Sequence, residues 1–259
     1  VPSGSDLLWH ADADADIDNN TDFNGEDTLY WGKEVTSGDW SRLSIVNDPI
    51  GVYGDVYSAY LTQADLAAGD NRAEFAQAYL GDGNTKLKLG IPDSAAGSTE
   101  DIYMGWRSLF GSDVLIDPDT ANNGNWLQLK GDSSCGGPAI GLTIKYGHLT
   151  LRSEQYLIEY DKIAWNGPLM ADVADADWHD FVLHVRFSKD ASVGYLEVWF
   201  DGVAQTMSNG QTRIYFPTMC PNDTYVYPKM GTYSMDGGNP QHLIESPRIG
   251  LTYASAVPR

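Results

Sequence analysis

An all-β fold, a two-sheet sandwich or jelly roll, is predicted by three observations. Short segments that alternate polar and apolar residues recur along the chain, which is the period of a half-buried strand. Turn formers punctuate them: 27 glycines and 12 prolines in 259 residues. Long helical patterns do not occur, and the best helix candidate, "TQADLAAGD" (62–70), is short and stops at Gly69. More than eight short strands without long helices fit a sandwich or jelly roll.

The strands are expected in this order: "RAEFAQAYL" (72–80), "KLKLGI" (86–91) after a "GDGN" turn, "DIYMGWRSLF" (101–110), "NWLQLKG" (125–131), "AIGLTIKYGHLTLRS" (139–153) and "HDFVLHVRFS" (179–188). "GYLEVWFDGVAQ" (194–205) follows, with Asp201-Gly202 as a hairpin turn signal. "TYVYPKMGTY" (224–233) and "RIGLTYASA" (248–256) complete the series. No repeat, low-complexity linker or composition break divides the chain, so a single domain over 1–259 is expected.

Composition narrows the function classes. With 42% hydrophobic and 12% aromatic residues the chain should fold rather than stay disordered. A net charge of −20 argues against nucleic acid and against anionic lipid as partners. It leaves an anionic substrate open, because the local field of a cleft decides that. No apolar run reaches membrane-spanning length, and "VPSGSDLLWH" reads as a mature or trimmed start. A secreted, extracellular monomer is expected. The two cysteines, Cys135 and Cys220, do not suit a zinc site and are read as a disulfide, with two buried thiols as the alternative.

The acidic start, "DADADIDNN" (12–20), lacks the glycine and glutamate of an EF-hand loop: Ile17 and Phe23 hold those positions. It reads as a solvated acidic edge. A structural calcium on some of Asp12, Asp14, Asp16 and Asp18 is the alternative, and the metal assignment stays unknown.

Three strands carry unusual polar faces. Side chains two apart in a strand share a face. In "YVYPKMGTY" one face shows Tyr227, Lys229, Gly231 and Tyr233; in "NRAEFA" Arg72 and Glu74 share a face; in "NWLQLKG" Trp126, Gln128 and Lys130 do. Each set alone is more often a solvated face or a structural pair.

Together and in this order, "RAEF", "QLK" and "YPKMGTY" resemble the strand motifs of the jelly-roll polysaccharide lyases, the alginate, glucuronan and heparin lyases. "DWHDFVLHVRFSKDASVGYLEVWFDG" (177–202) is similar to a segment of the glucuronan and heparin lyases, and "SPRIGLTYASAV" to their last strand. The likeness runs from about residue 70 to 256 by these strand patterns. It departs in two places: Lys130 stands where many relatives have histidine, and Pro228 replaces an aromatic residue. The resemblance implies a concanavalin-like sandwich with a concave substrate groove. It implies an endo-acting enzyme that cuts an acidic polysaccharide by β-elimination, without an organic cofactor.

That reaction has three requirements: neutralise a uronate carboxylate, remove the C5 proton, and protonate the leaving oxygen on C4. Gln128 and Arg72 suit the first, with Lys130 adding charge. The resemblance points to Tyr233 for proton transfer, and Lys229, Lys130 and Arg72 are expected to favour its phenolate. Gly231 is expected to let the sugar approach the backbone. Lys229, Tyr227, Glu74 and Trp126 are expected to line the groove, with His184 as reserve base against a structural role for it. In glucuronate and mannuronate the C5 hydrogen and C4 oxygen lie on one side of the ring, so one tyrosine can serve both steps. With no histidine after "QL", glucuronan is the first expected substrate and alginate the second, with heparin-like glycans behind. A glycoside hydrolase would need paired carboxylates, and Glu74 and Glu197 stand alone on their strands. A non-catalytic, lectin-like carbohydrate-binding module is the remaining alternative.

Overall fold

The computed structural model describes residues 6–14, 31–36, 39–78, 86–92, 98–111, 119, 124–133, 136–155, 160–174, 177–233, 235 and 237–259. Among them, the alternating segments pair into two antiparallel sheets that face each other as a jelly roll. The first sheet contains β1 (Leu7–His10), β3 (Leu43–Asn47), β4 (Asp55–Tyr60), β6 (Asp101–Phe110), β11 (His179–Arg186), β12 (Tyr195–Phe200), β13 (Val203–Ala204), β14 (Ile214–Tyr215) and β16 (Gln241–Gly250). Its path is β13-β12-β11-β6-β16-β4-β3, with β1 beside β16 and β14 beside β12. The second sheet contains β2 (Trp31–Val35), β5 (Arg72–Ala78), β7 (Asn125–Gly131), β8 (Ile140–Lys145), β9 (His148–Gln155), β10 (Tyr160–Leu169) and β15 (Val226–Tyr233). Its order is β10-β9-β8-β7-β15-β5-β2.

Alternation explains the core. The inward residues of β5, β7, β8 and β9 (Ala73, Phe75, Leu127, Leu129, Leu142, Ile144, Leu149, Leu151) meet those of β6 and β11 (Ile102, Met104, Trp106, Phe181, Leu183, Val185). Trp106 stacks on Phe181 at 5.0 Å. Each fully buried side chain of this size contributes about 1.5–3 kcal/mol relative to exposure. Connections follow the local signals. Asp201 and Gly202 take φ of 49° and 73°, the handedness of a two-residue hairpin between β12 and β13. Tyr146 and Gly147 do the same between β8 and β9. α1 (Gln63–Ala68) opens on a Thr62–Asp65 capping box and closes at Gly69 in the left-handed region.

Three strand expectations are corrected. "AIGLTIKYGHLTLRS" is two strands, β8 and β9, paired across a turn at Tyr146-Gly147. "KLKLGI" makes no strand; Leu89 forms one isolated bridge with Val226. "RIGLTYASA" is the end of β16 followed by a helical turn (Tyr253–Ala256), started by Thr252 accepting from Ser255 N–H. The Ala256 carbonyl lies against Gly105, where a Cβ would come within 1.9 Å of it. The chain end thus packs on the outward face of the first sheet.

The expected calcium ligands Asp16 and Asp18 lie outside the described residues, as does Cys135. Of the others, Asp12 accepts from Asp14 N–H and Asp14 from Asp55 N–H. No cluster of three metal-ligating side chains occurs among the described residues.

Candidate active site

β15 runs between β5 and β7, so the three polar faces foreseen in the sequence lie side by side. Lys229 pairs with Gln128 on one side and Ala76 on the other. Tyr227 stands opposite Lys130, Gly231 opposite Glu74, and Tyr233 opposite Arg72. Directly paired residues share a face. The inward partners Met230, Phe75 and Leu127 pack in the core, so this polar row looks outward.

Glu74 is its floor. The side chain is 0% exposed and accepts from Gln128 Nε2–H at 2.6 Å. Its second oxygen lies 3.2 Å from Arg72 Nε and 3.8 Å from Lys229 Nζ. Burial raises the carboxyl's pKa, against the pull of Lys229, Arg72 and the Gln128 hydrogen bond. Arg72 and Lys229 both also pair with Glu34 of β2. Lys229 is buried too, and burial, then the Arg72 charge, lowers its pKa. Lys130 is half-buried, donates to the Gly136 carbonyl at 3.3 Å, and has its pKa lowered by burial and then by Lys229 and Arg72. Around this floor Arg72, Tyr227 and Tyr233 reach solvent in part. The Arg72 guanidinium lies 4.1 Å from the Tyr233 ring centroid. Burial raises the pKa of Tyr227.

Several expected contributors prove to be placed differently. Trp126 is fully buried, edge-on to Phe110 and His242, and is not part of the outward polar row. The β7–β8 register slips between Asn125 and Leu127, and this bulge turns Trp126 inward alongside Leu127. His184 belongs to β11 of the other sheet, on its outward face, between Glu197 (Nδ1, 2.5 Å) and Asp101 (Nε2, 2.7 Å). It therefore lies on the other sheet from Tyr233, away from the polar row. Glu74 has no exposed surface; it lies beneath the row, in contact with Gln128 and Arg72, rather than on its outer side. Gly231 is required by its neighbour strand: a Cβ there would lie 2.2 Å from the Ala73 carbonyl, and its φ is +152°. Pro228 sits inside β15, opposite Leu129. Proline has no N–H to offer, and the β5 ladder ends beside it at Lys229–Ala76, after which Gln77 turns away with φ of 61°.

Two residues that the sequence reading passed over belong here. Glu34 joins Arg72 to Lys229, but "WGKEV" is too short a strand to announce it. Arg152 lies in one row with Gln128 across Gly141, which carries no side chain between them. Its alternation with Leu151 in "LTLRS" was a readable signal.

Chemically, the row offers planar and cationic donors, an amide held from below, and a phenol over which a guanidinium lies. That set suits an anionic ligand with an acidic C–H beside its carboxylate.

A family model described as Polysaccharide lyase matches residues 14–248. Among solved structures, the fold is similar to endo-β-1,4-glucuronan lyase from the fungus Trichoderma reesei, at 18% identity and TM-score 0.59, covering 97% of this chain and 98% of that one. It is similar to the cellulose induced protein Cip1, at 12% identity and TM-score 0.52, over 85% and 91% of the two chains. The binding domain of Paraclostridial Mosquitocidal Protein 1 is similar at 9% identity and TM-score 0.52, over 95% of this chain and 49% of that one. At these identities the likeness is one of fold. No curated protein matches the chain.

Proposed function

The chain belongs to the polysaccharide lyase family, and from that premise we propose that it cuts a uronic-acid polymer by endo-acting β-elimination, glucuronan first and alginate second. The observation that carries this reading is the cluster of Arg72, Lys130 and Lys229 around two carboxylates, Glu34 and Glu74, in a chain of net charge −20. The substrate's carboxylate would meet Arg72 and Lys130, with the second Nε2 hydrogen of Gln128 beneath; the first is held by Glu74. Tyr233, as phenolate, takes the C5 proton. The electron pair of that bond forms the C4–C5 double bond, the C4–O bond breaks, and the phenol returns a proton to the departing oxygen. The step suits uronates whose two reacting groups lie on one side of the ring. Likeness in fold to a glucuronan lyase supports the order of substrates.

The same proposal places the protein outside the cell as a monomer without an organic cofactor, since a polymer is cut before uptake. A Cys135–Cys220 disulfide fits that location. Asp223 accepts from Ser133 N–H and from Cys220 N–H, which brings the chain two residues from Cys135 towards buried Cys220. A mass measured before and after reduction and alkylation reports the bond.

The test is a panel of uronic-acid polymers followed by the ultraviolet absorbance of the unsaturated product, with Tyr233→Phe and Gln128→Ala as controls. Normal turnover by Tyr233→Phe on every polymer would end the assignment. Binding without new absorbance would favour a carbohydrate-binding module.

A further inference from the structure

The strand that carries Tyr233 changes register at a defined place. Its ladder with β5 is regular, but its ladder with β7 slips between Met230 and Tyr233. Gly231 lies in that slip. Its carbonyl is met from the opposite sheet: His242 of β16, 0% exposed, places Nδ1 3.2 Å from Gly231 O. The other ring nitrogen, Nε2, is 2.8 Å from Ser108 Oγ, and Trp106 Nε1–H donates to the same oxygen at 2.9 Å.

The roles along this chain follow from chemistry. A carbonyl can only accept, so Nδ1 carries the imidazole proton. An indole N–H can only donate, so Ser108 accepts from Trp106 and gives its own proton to Nε2. The ring lies parallel to Phe110, 5.3 Å away, and edge-on to Trp126 at 5.4 Å. Burial holds the imidazole's pKa down at about 3, so it stays neutral near neutrality. Groove chemistry makes no use of it: His242 lies between the sheets, behind the reactive row.

We propose that His242 is a positioning residue for Tyr233, acting through the Gly231 carbonyl. Holding that carbonyl fixes the peptide that follows Gly231, and with it the departure angle of the strand two residues before the phenol. The proposal rests on the reading of Tyr233 as the proton-transferring group.

The experiment uses the full chain and the uronate polymer it cuts best. His242→Leu keeps the volume and removes the donor; kcat should fall about tenfold with KM within about twofold. His242→Asn, whose amide N–H falls where Nδ1–H was, should recover kcat to within about threefold of the parent. Combined with Tyr233→Phe, His242→Leu should lower the residual rate no further, because the two residues act as one unit. Equal damage by Leu and Asn, a KM rise matching the kcat loss, or full additivity with Tyr233→Phe would each overturn the proposal. Should His242→Leu fail to fold, nitrogen-15 NMR of the parent and of Ser108→Ala decides. A proton on Nδ1 in the parent, and a lowered kcat in Ser108→Ala, are expected; a proton on Nε2 or an unchanged kcat overturns it. Should Tyr233→Phe alone keep normal turnover, the Tyr233 reading fails, while the NMR result still reports the hydrogen-bond chain.

Discussion

The two sheets each present charged side chains on their outward faces, and the two sets close differently. On the first sheet Arg107, Arg186 and Arg213 sit among acids, while Arg248 donates to Ser246 Oγ. Arg107 lies 2.8 Å from both Asp180 and Glu245. His184 bridges Glu197 and Asp101, and Arg213 lies 3.1 Å from Glu197. On the second sheet Arg72, Lys130 and Lys229 surround Glu34 and Glu74, and Glu74 is itself buried with a raised pKa. A set balanced within itself holds a fold together. A set with cation left over is ready for an anion.

The largest effect that would sharpen this contrast is at Tyr233. Tyr233→Phe should lower turnover by about 10²–10⁴-fold, the usual worth of a general acid–base group, in the absorbance assay. Arg72→Met should come next. Its loss leaves Glu74 and Glu34 less compensated and removes a carboxylate partner, so kcat/KM should drop about 10–100-fold on uronates. A variant that cuts as well as the parent would break the comparison. Acid stability probes the buried histidine. The folded-state pKa of His242 lies below its unfolded value, so the unfolded chain binds the extra proton. Its contribution is therefore present above about pH 6.5 and lost as pH falls towards about 3, at about 1.4 kcal/mol per pH unit. Denaturant melts of the parent and His242→Leu across that window should differ in slope. The smallest effect is expected on the first sheet: His184→Leu should cost about 1–2 kcal/mol of stability and leave kcat unchanged. A loss of turnover there at full stability would show that the balanced face is functional after all.

Much of this was legible beforehand, for physical reasons that can be named. Strands such as β6 and β7 are bounded as the alternation foretold, because inward and outward residues differ sharply in polarity. The outward faces of β5, β7 and β15 were readable for the same reason. Their adjacency was not, since pairing order depends on contacts far apart in sequence. Trp126 was misplaced because a bulge adds one residue, and a one-residue slip reverses every side chain beyond it. Gly231 was read for a ligand and proved to serve Ala73, a neighbour 158 positions away in the chain. His184 was weighed as a base, but only the strand order shows that β11 lies in the sheet opposite β15. β1, β2, β3, β4 and β14 are short and escaped notice, and so did the ten-residue β10, in which polar residues, a glycine and a proline interrupt the apolar ones.

The −20 overall charge surrounding that cationic row has a kinetic corollary. Beyond about 10 Å, the screening length at 0.1 M salt, a polyanion meets a like-charged particle and is turned away. Inside that range the arginine and lysines prevail. Added electrolyte erases the distant repulsion before the close attraction, so capture should quicken at moderate ionic strength and fade only when brine reaches the row itself.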